Sequence, residues 1–143
     1  MQSIITDGEK GTKKIANELA KKLIKKERNK ALIVALEGEL GAGKTTFIKG
    51  FSKALKIKEK VLSPTFVLIH RHHLKSGNLY HIDAYRLKSE KDLLKLNIKE
   101  IFSNPKNIVL IEWADRVKKA IPKNAIWIHF DHLGKNKRKI NIR

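Results

Sequence analysis

One glycine-rich stretch limits what this chain can fold into, namely Gly38-Glu39-Leu40-Gly41-Ala42-Gly43-Lys44-Thr45. It fits G-x-x-x-x-G-K-[ST], the pattern of loops that bind phosphate. An unbroken apolar run, residues 31–36, precedes it and is typical of a buried parallel strand. Apolar residues at helical spacing follow it and predict an amphipathic helix that begins at Lys44 and Thr45. The order of strand, glycine-rich turn and helix predicts a site for a nucleoside triphosphate.

Each position of this loop has a chemical reason. The glycines allow backbone angles that other residues avoid, so that consecutive N–H groups can point inward and bind an anion. The N-terminus of the following helix adds partial positive charge at the same place. Lys44 is predicted to bind the β- and γ-phosphates, and the Thr45 hydroxyl to bind Mg²⁺. The predicted nucleotide-binding residues of the loop are therefore Gly38, Glu39, Leu40, Gly41, Ala42, Gly43, Lys44, Thr45 and Thr46.

The charge of the chain supports two interpretations. The formal net charge is +18, from 32 lysines and arginines against 14 acidic residues. Such an excess favours a polyanionic partner, with tRNA as the first candidate. The excess consists mainly of lysine, whereas arginine is the residue favoured for forked recognition of phosphates and bases. A lysine-rich composition without a binding role therefore remains the alternative.

Cysteine and hydropathy bear on the compartment. The chain contains no cysteine. No apolar run is long enough to span a membrane, and the first residues lack the apolar core of a signal peptide. We expect a cytoplasmic protein without a membrane partner, with residues 1–143 forming a single domain.

The remaining segments predict an α/β fold. Thr6 and Glu9 fit a capping box before a helix that runs to about residue 26. Residues 65–83 are typical of a β-hairpin, and Ser89 is placed to cap a helix. Further strands are expected at 108–112, 125–130 and 138–142, and a helix near Trp113. Together these elements predict a single-domain P-loop NTPase with a mixed sheet flanked by helices, parallel around the P-loop.

Two carboxylates end predicted strands, Asp83 and Glu112. In an open α/β sheet the ligand lies beyond the carboxyl ends of the parallel strands. An NTPase needs an acidic group for the metal and a group that orients the attacking water. Glu112 is predicted to hold Mg²⁺ through water, to act as base, or to do both. Asp83 is the second candidate for these roles.

Two further residues, Thr65 and Trp113, complete the predicted site. Thr65 follows Pro64 in a rigid turn and resembles the switch threonine that senses γ-phosphate and metal in P-loop enzymes. Trp113 either covers the site and stacks on a ligand or packs in the core.

Since no N-K-x-D motif, which is typical of guanine recognition, follows the strands, ATP is favoured over GTP. The predicted catalytic residues are Glu112, Asp83, Thr65 and Lys44, and the predicted metal ligands are Thr45, Glu112 and Asp83.

Taken together, four segments resemble the TsaE family, the YjeE-type ATPases of bacterial tRNA threonylcarbamoyladenosine (t6A) biosynthesis. They are residues 38–46, Ser63-Pro64-Thr65-Phe66, His81-x-Asp83-x-Tyr85-Arg86 and Glu112-Trp113, in the order and spacing of that family. The resemblance implies a cytoplasmic ATPase that acts with the TsaB and TsaD proteins to modify adenosine 37 of tRNAs. The transfer step would belong to the partner, and the ATPase cycle would reset the complex.

The resemblance also implies roles for single residues. Thr45 and Glu112 match the Mg²⁺-binding residues of the family, and Asp83 matches an aspartate near the γ-phosphate and metal. Thr12 is the nearest match to a threonine that lies near the nucleotide base.

Two other functions are compatible with the residues. One is a small-molecule kinase, although such enzymes usually need an arginine-rich lid. The other is a basic nucleic-acid-binding adaptor. No arginine is clearly placed as a finger, with Arg86 and Arg116 as candidates, so slow turnover is expected without partners.

Overall fold

The computed structural model describes residues 2–39, 43–57 and 68–143. The predictions for Leu40, Gly41, Ala42 and Thr65 therefore lie outside the described residues.

The described ranges contain seven strands, four α-helices and one 3₁₀ helix. The strands are β1 (Gln2–Asp7), β2 (Leu32–Gly38), β3 (Ile69–His73), β4 (Asn78–Asp83), β5 (Asn107–Glu112), β6 (Ile126–His132) and β7 (Lys137–Ile142). The α-helices are α1 (Gly8–Ile24), α2 (Lys44–Ala54), α3 (Glu90–Leu94) and α4 (Ile98–Ser103), and a 3₁₀ helix covers Ala114–Ala120. None of the helices within these ranges is long and apolar enough to cross a bilayer.

All seven strands form one sheet in the order β1-β7-β6-β2-β5-β4-β3. Its centre is parallel, because β2 pairs in parallel with both β5 and β6, and β5 with β4. Antiparallel pairs close the two sides, β3 on β4 at one edge and β7 between β6 and β1 at the other. The predicted α/β fold with a mixed sheet, parallel around the P-loop, is confirmed.

Helices cover both faces of the sheet. On one face α1 and α2 bury Ala16, Phe47 and Phe51 against alternate residues of the central strands. On the other face α3, α4 and the 3₁₀ helix bury Leu93 and Ile98 against the intervening residues. Because every side chain of the first five positions of β2 is buried, its sequence is a continuous apolar run instead of an alternating one.

The predicted capping box at Thr6 and Glu9 is wrong. Thr6 belongs to β1, which continues to Asp7 through its pairing with Lys137 of β7. Asp7 is the N-cap of α1 and makes no side-chain capping bond. The Thr6 hydroxyl lies 2.9 Å from the hydroxyl of Thr12 instead. A strand pairing across most of the chain length thus overrides a local capping signal. Ser89 is the N-cap of α3, as predicted, but without a side-chain capping bond.

The contact between α1 and α2 depends on Gly50. A Cβ atom at this position would lie 2.5 Å from the Lys13 carbonyl oxygen and 2.7 Å from the Lys13 Cα. These are backbone atoms, which a change of rotamer cannot move aside. We expect Gly50→Ala to destabilise the fold by about 1–3 kcal/mol through overpacking, measured as a lower Tm in thermal unfolding.

Gly11→Ala in α1 is the matched control. Its new Cβ would lie 3.4 Å from the Thr6 Cβ, an ordinary contact, and alanine raises helix propensity by about 0.5–1 kcal/mol. Its Tm should equal or exceed that of the wild type. A Gly50→Ala protein as stable as the wild type would contradict the close packing of the two helices.

Candidate nucleotide-binding site

A cleft of about 430 Å³ opens at the carboxyl ends of the parallel strands. It collects residues from both ends of the chain and from the P-loop. The lining residues are Gly8, Glu9, Thr12, Gly43, Lys44, Thr45, Thr46, Asp83, Tyr85, Glu112, Trp113, Asn136 and Arg138. The structure therefore brings together the described part of the P-loop, both predicted carboxylates, Thr12 and Trp113. The roles assigned to these residues remain predictions.

Two described positions of the P-loop, 43 and 38, require glycine, each for its own reason. Gly43 is the N-cap of α2 and has a left-handed backbone with φ 102°, which glycine adopts without strain. Gly38 has φ 141°, and a Cβ there would lie 2.5 Å from the Phe130 carbonyl oxygen on β6. The close approach of β6 thus excludes a side chain where the chain leaves β2.

Lys44 is held against its own loop. It is buried, with 5% of its surface exposed. Its ammonium group donates to the carbonyl oxygens of Gly38 and Glu39, the latter at 3.1 Å. Burial lowers the pKa of this ammonium group, while the nearby Glu112, Asp115 and Asp83 oppose that shift. The structure thus places a desolvated cation at the N-terminus of α2, where a phosphate would be bound.

The Trp113 ring lies against this lysine, and Tyr85 lies against Trp113. The Lys44 ammonium lies 3.9 Å from the centroid of the Trp113 ring, within range of a cation–π contact. The Tyr85 ring lies against Trp113 with its centroid 5.0 Å away and its plane tilted by 56°, and the Arg116 guanidinium lies 4.8 Å from the Tyr85 ring. Trp113 has a left-handed backbone with φ 56°, an unusual conformation for a bulky residue. Trp113 therefore covers the cleft and also packs against the core on the α3–α4 side.

The two carboxylates meet because their strands are adjacent and parallel. Asp83 at the end of β4 pairs directly with Glu112 at the end of β5. The Glu112 side chain is buried, and its Oε1 accepts a hydrogen bond from the Thr45 hydroxyl at 3.4 Å. Its Oε2 lies 2.7 Å from His81 Nε2. Asp83 Oδ1 accepts the Tyr85 N–H at 2.9 Å.

The ionised form of the Asp83 carboxyl group is unfavourable at this position. Burial raises the pKa of its carboxyl group, the hydrogen bond from Tyr85 opposes this, and Glu112 adds to the increase. A partly buried carboxylate with a raised pKa beside a second acid is typical of functional sites.

These oxygens fit Mg²⁺. Glu112, Asp83 and the Thr45 hydroxyl supply the hard oxygen donors that Mg²⁺ prefers, and Mg²⁺ usually takes only one or two carboxylates and completes its shell with water and phosphate. Within the described residues there is no cluster of three or more histidine, cysteine or acidic side chains that could hold a metal ion. Glu112, Asp83 and Thr45 could thus hold a Mg²⁺ ion whose other ligands are water and phosphate oxygens.

Sequence reasoning missed one wall of the cleft. Asn136 and Arg138 reach it from the start of β7, and the Arg138 side chain lies beside Gly43. Gly8 and Glu9 line it from the start of α1. The sequence predicts strands at 125–130 and 138–142, but only the pairing of β7 with β1 and β6 brings these residues to the P-loop.

Thr12 and the candidate arginines are also placed. Thr12 lines the cleft, but its hydroxyl already contacts the Thr6 hydroxyl and the Gly8 carbonyl oxygen, the latter at 3.4 Å. Arg86 and Arg116 are exposed and do not line the cleft.

A glycine-rich loop at the start of a helix, with carboxylates on the neighbouring strand ends, defines a P-loop nucleotide-binding protein. The family described as "Threonylcarbamoyl adenosine biosynthesis protein TsaE" matches residues 6–140. The chain belongs to the TsaE family, which confirms the resemblance seen in the sequence.

Individual relatives support the assignment to this family. The tRNA threonylcarbamoyladenosine biosynthesis protein TsaE of Aquifex aeolicus is 35% identical over 144 residues, 99% of this chain and 96% of that protein. The protein of the same name from Haemophilus influenzae is 33% identical over 119 residues, 83% of this chain and 75% of that protein. The crystal structure of YdiB from Bacillus subtilis superposes with a TM-score of 0.79 at 30% identity, covering 99% of this chain and 83% of that one.

The raised pKa of Asp83 predicts that this residue lowers the stability of the nucleotide-free protein. An acid whose pKa is higher in the folded than in the unfolded state destabilises the fold where it is ionised, and ceases to do so as it becomes protonated. Asp83→Asn keeps an oxygen that can accept the Tyr85 N–H. We expect its Tm to exceed that of the wild type by about 2 °C at pH 7.5, with the gain shrinking as the pH falls and the Asp83 carboxyl group becomes protonated.

Asp131→Asn is the control, since the Asp131 carboxylate is about half exposed. Its Tm should stay near the wild-type value across the same pH series. An Asp83→Asn protein that melts at or below the wild-type temperature at pH 7.5 would show that the ionised carboxylate does not destabilise the fold.

Proposed function

We propose that this chain is a Mg²⁺-dependent ATPase of the t6A modification system, in which residues 1–143 act as one ATPase domain coupled to a TsaB–TsaD-type partner complex. Membership of the TsaE family supports the pathway. The observation that carries the enzymatic part is the buried Glu112, held against Thr45 at the mouth of the P-loop with Asp83 beside it. A role in tRNA modification would place the protein in the cytoplasm.

Each residue has a distinct task in this proposal. Lys44 would exchange its bonds to loop carbonyls for bonds to the β- and γ-phosphates of ATP, since its ammonium group already lies at the helix N-terminus. Thr45 and Glu112 would hold Mg²⁺, with Asp83 as a further ligand. When bound, Mg²⁺ neutralises charge on the phosphate oxygens. Asp83 or Glu112 would orient the water that attacks the γ-phosphate in line.

The positions of the arginines near the cleft support the proposed dependence on partners. Arg116 lies over the Tyr85 ring and does not line the cleft. Arg138 does line it, but its guanidinium group already donates to the backbone carbonyl oxygens of Lys135 and Lys137, at 3.5 and 3.1 Å. Because a well-placed arginine accelerates phosphoryl transfer by roughly 10³–10⁵-fold, we expect slow hydrolysis by the isolated chain and faster hydrolysis in the partner complex.

Two substitutions separate binding from chemistry. Lys44→Ala should abolish ATP binding in calorimetry, because it removes the cation at the centre of the described phosphate site. Glu112→Ala should still bind ATP but release phosphate at least about 100-fold more slowly. Both are measured with and without TsaB- and TsaD-like proteins, which should stimulate the wild type.

Glu100→Ala, on the exposed surface of α4, is the matched control and should behave as the wild type. A Glu112→Ala protein that hydrolyses ATP at the wild-type rate would exclude the role assigned to Glu112. Transfer of phosphate to a metabolite instead of water would favour a small-molecule kinase.

The distribution of charge favours a second function, direct binding of RNA. The helices on the P-loop face carry seven exposed lysines against Glu9 and Glu18, namely Lys10, Lys13, Lys14, Lys21, Lys22, Lys49 and Lys53. The helices on the opposite face are nearly balanced. They carry Lys91, Lys99, Arg116, Lys118 and Lys119 against Glu90, Asp92, Glu100 and Asp115. A uniform compositional bias does not explain this difference, whereas a surface for the phosphate backbone does.

Two sets of four substitutions test this surface. Changing Lys13, Lys14, Lys21 and Lys22 to glutamine should weaken tRNA retention on filters and reduce its salt dependence, by roughly 0.7–0.9 in the log–log slope for each phosphate that is no longer neutralised. The control changes Lys91, Lys99, Lys118 and Lys119 to glutamine and removes the same charge. Equal weakening in both proteins would show that net charge, not the α1–α2 surface, determines binding.

A further inference from the structure

His81 makes the shortest described hydrogen bond to Glu112. It lies on β4 with none of its surface exposed, and its Nε2 is 2.7 Å from Glu112 Oε2. The other oxygen of the same carboxylate, Oε1, faces the Thr45 hydroxyl at 3.4 Å. The carboxylate is therefore held at both oxygens, one by the sheet and one by the start of α2.

The strand register explains how this pair forms. His81 is opposite Leu110 in the parallel ladder, and Asp83 is opposite Glu112. Since side chains alternate across a strand, His81 and Asp83 lie on the same face of β4. That is the face on which Leu79 and Leu110 belong to the core beneath α1 and α2. His81 is thus the deeper and Asp83 the outer of two β4 residues next to Glu112.

The tautomer follows from burial. His81 Nδ1 is buried and has no hydrogen-bond partner within the described part of the chain. A buried N–H without an acceptor is costly, so the proton is assigned to Nε2, which then donates to Glu112 Oε2. The neutral imidazole suffices for this bond.

From this geometry we propose that His81 is a positioning residue for nucleotide hydrolysis. It fixes Oε2 of Glu112 and thereby leaves Oε1, beside Thr45, as the oxygen presented to a magnesium–nucleotide complex. Without this bond the Glu112 carboxylate can rotate, and the position of the oxygen that it presents beside Thr45 is no longer fixed. The inference rests on the proposed ATPase function, in which Glu112 and Thr45 bind the metal.

The test uses variants that differ in the donor. His81→Leu removes the donor with a side chain of similar volume, and His81→Asn keeps a polar amide that is too short to replace Nε2. Both should raise the Mg²⁺ concentration needed for tight ATP binding, measured by calorimetry, by about 10–100-fold, and should lower kcat by a similar factor. ADP binding without Mg²⁺ should stay within about twofold of the wild type. His81→Gln carries a donor of similar reach and should recover most of both effects.

A buried histidine elsewhere serves as the control. His72 on β3 is also buried but does not line the cleft, so His72→Leu should leave the Mg²⁺ dependence unchanged, whatever its effect on Tm. Wild-type Mg²⁺ dependence in folded His81→Leu or His81→Asn, or equal impairment of the leucine and glutamine variants, would overturn the assignment.

The same measurements separate this inference from the proposed function. A wild type that neither hydrolyses ATP nor binds it more tightly with Mg²⁺ would overturn the ATPase proposal itself. A normal wild type with unaffected His81 variants would overturn only the role of His81.

Discussion

The parallel pairing of β5 with β2 on one side and β4 on the other is the constraint on which the site depends. It places Glu112 opposite both Leu36, just before the P-loop, and Asp83. Three strand ends that are far apart in the sequence thereby meet at one edge of the sheet, which is where ligands bind in open α/β folds. A shift of this register by one residue would turn Glu112 toward the opposite face and take away the acid that most strongly opposes the pKa shift of Lys44.

Several polar side chains are buried in or next to the cleft. Lys44, His81, Glu112 and Thr12 are all at most 5% exposed. Buried polar groups are tolerated when they are hydrogen-bonded or paired with charge. Here the pairing is mutual, since His81 and Thr45 hold Glu112 while Gly38, Glu39 and Trp113 hold Lys44. The raised pKa of Asp83 and lowered pKa of Lys44 show that the compensation is incomplete, as expected of a site organised for a ligand.

Local patterns predicted most of the fold and the centre of the site. The apolar run 31–36 and the helical spacing after Lys44 were enough to place β2 and α2, and the strand ends at Asp83 and Glu112 followed from the same reasoning. The failures share one cause, which is long-range pairing. β7 extends β1 through Thr6 and Asp7 and brings Asn136 and Arg138 to the cleft. The contact of His81 with Glu112 could not be predicted either, because nothing in the sequence shows that the two side chains lie within hydrogen-bonding distance.

Helix α1 connects the two proposed functions. Its buried side carries Thr12 into the cleft, and the next residues, Lys13 and Lys14, are exposed on the basic surface. The close contact at Gly50 fixes this helix to α2, whose first residues are Lys44 and Thr45. Because well-packed interiors transmit displacement instead of absorbing it, a polyanion on the lysines of α1 and a nucleotide at the start of α2 would act on one rigid layer. Under the two proposed functions, the layer that would hold the phosphates is therefore also the one through which RNA binding and the nucleotide state would influence each other.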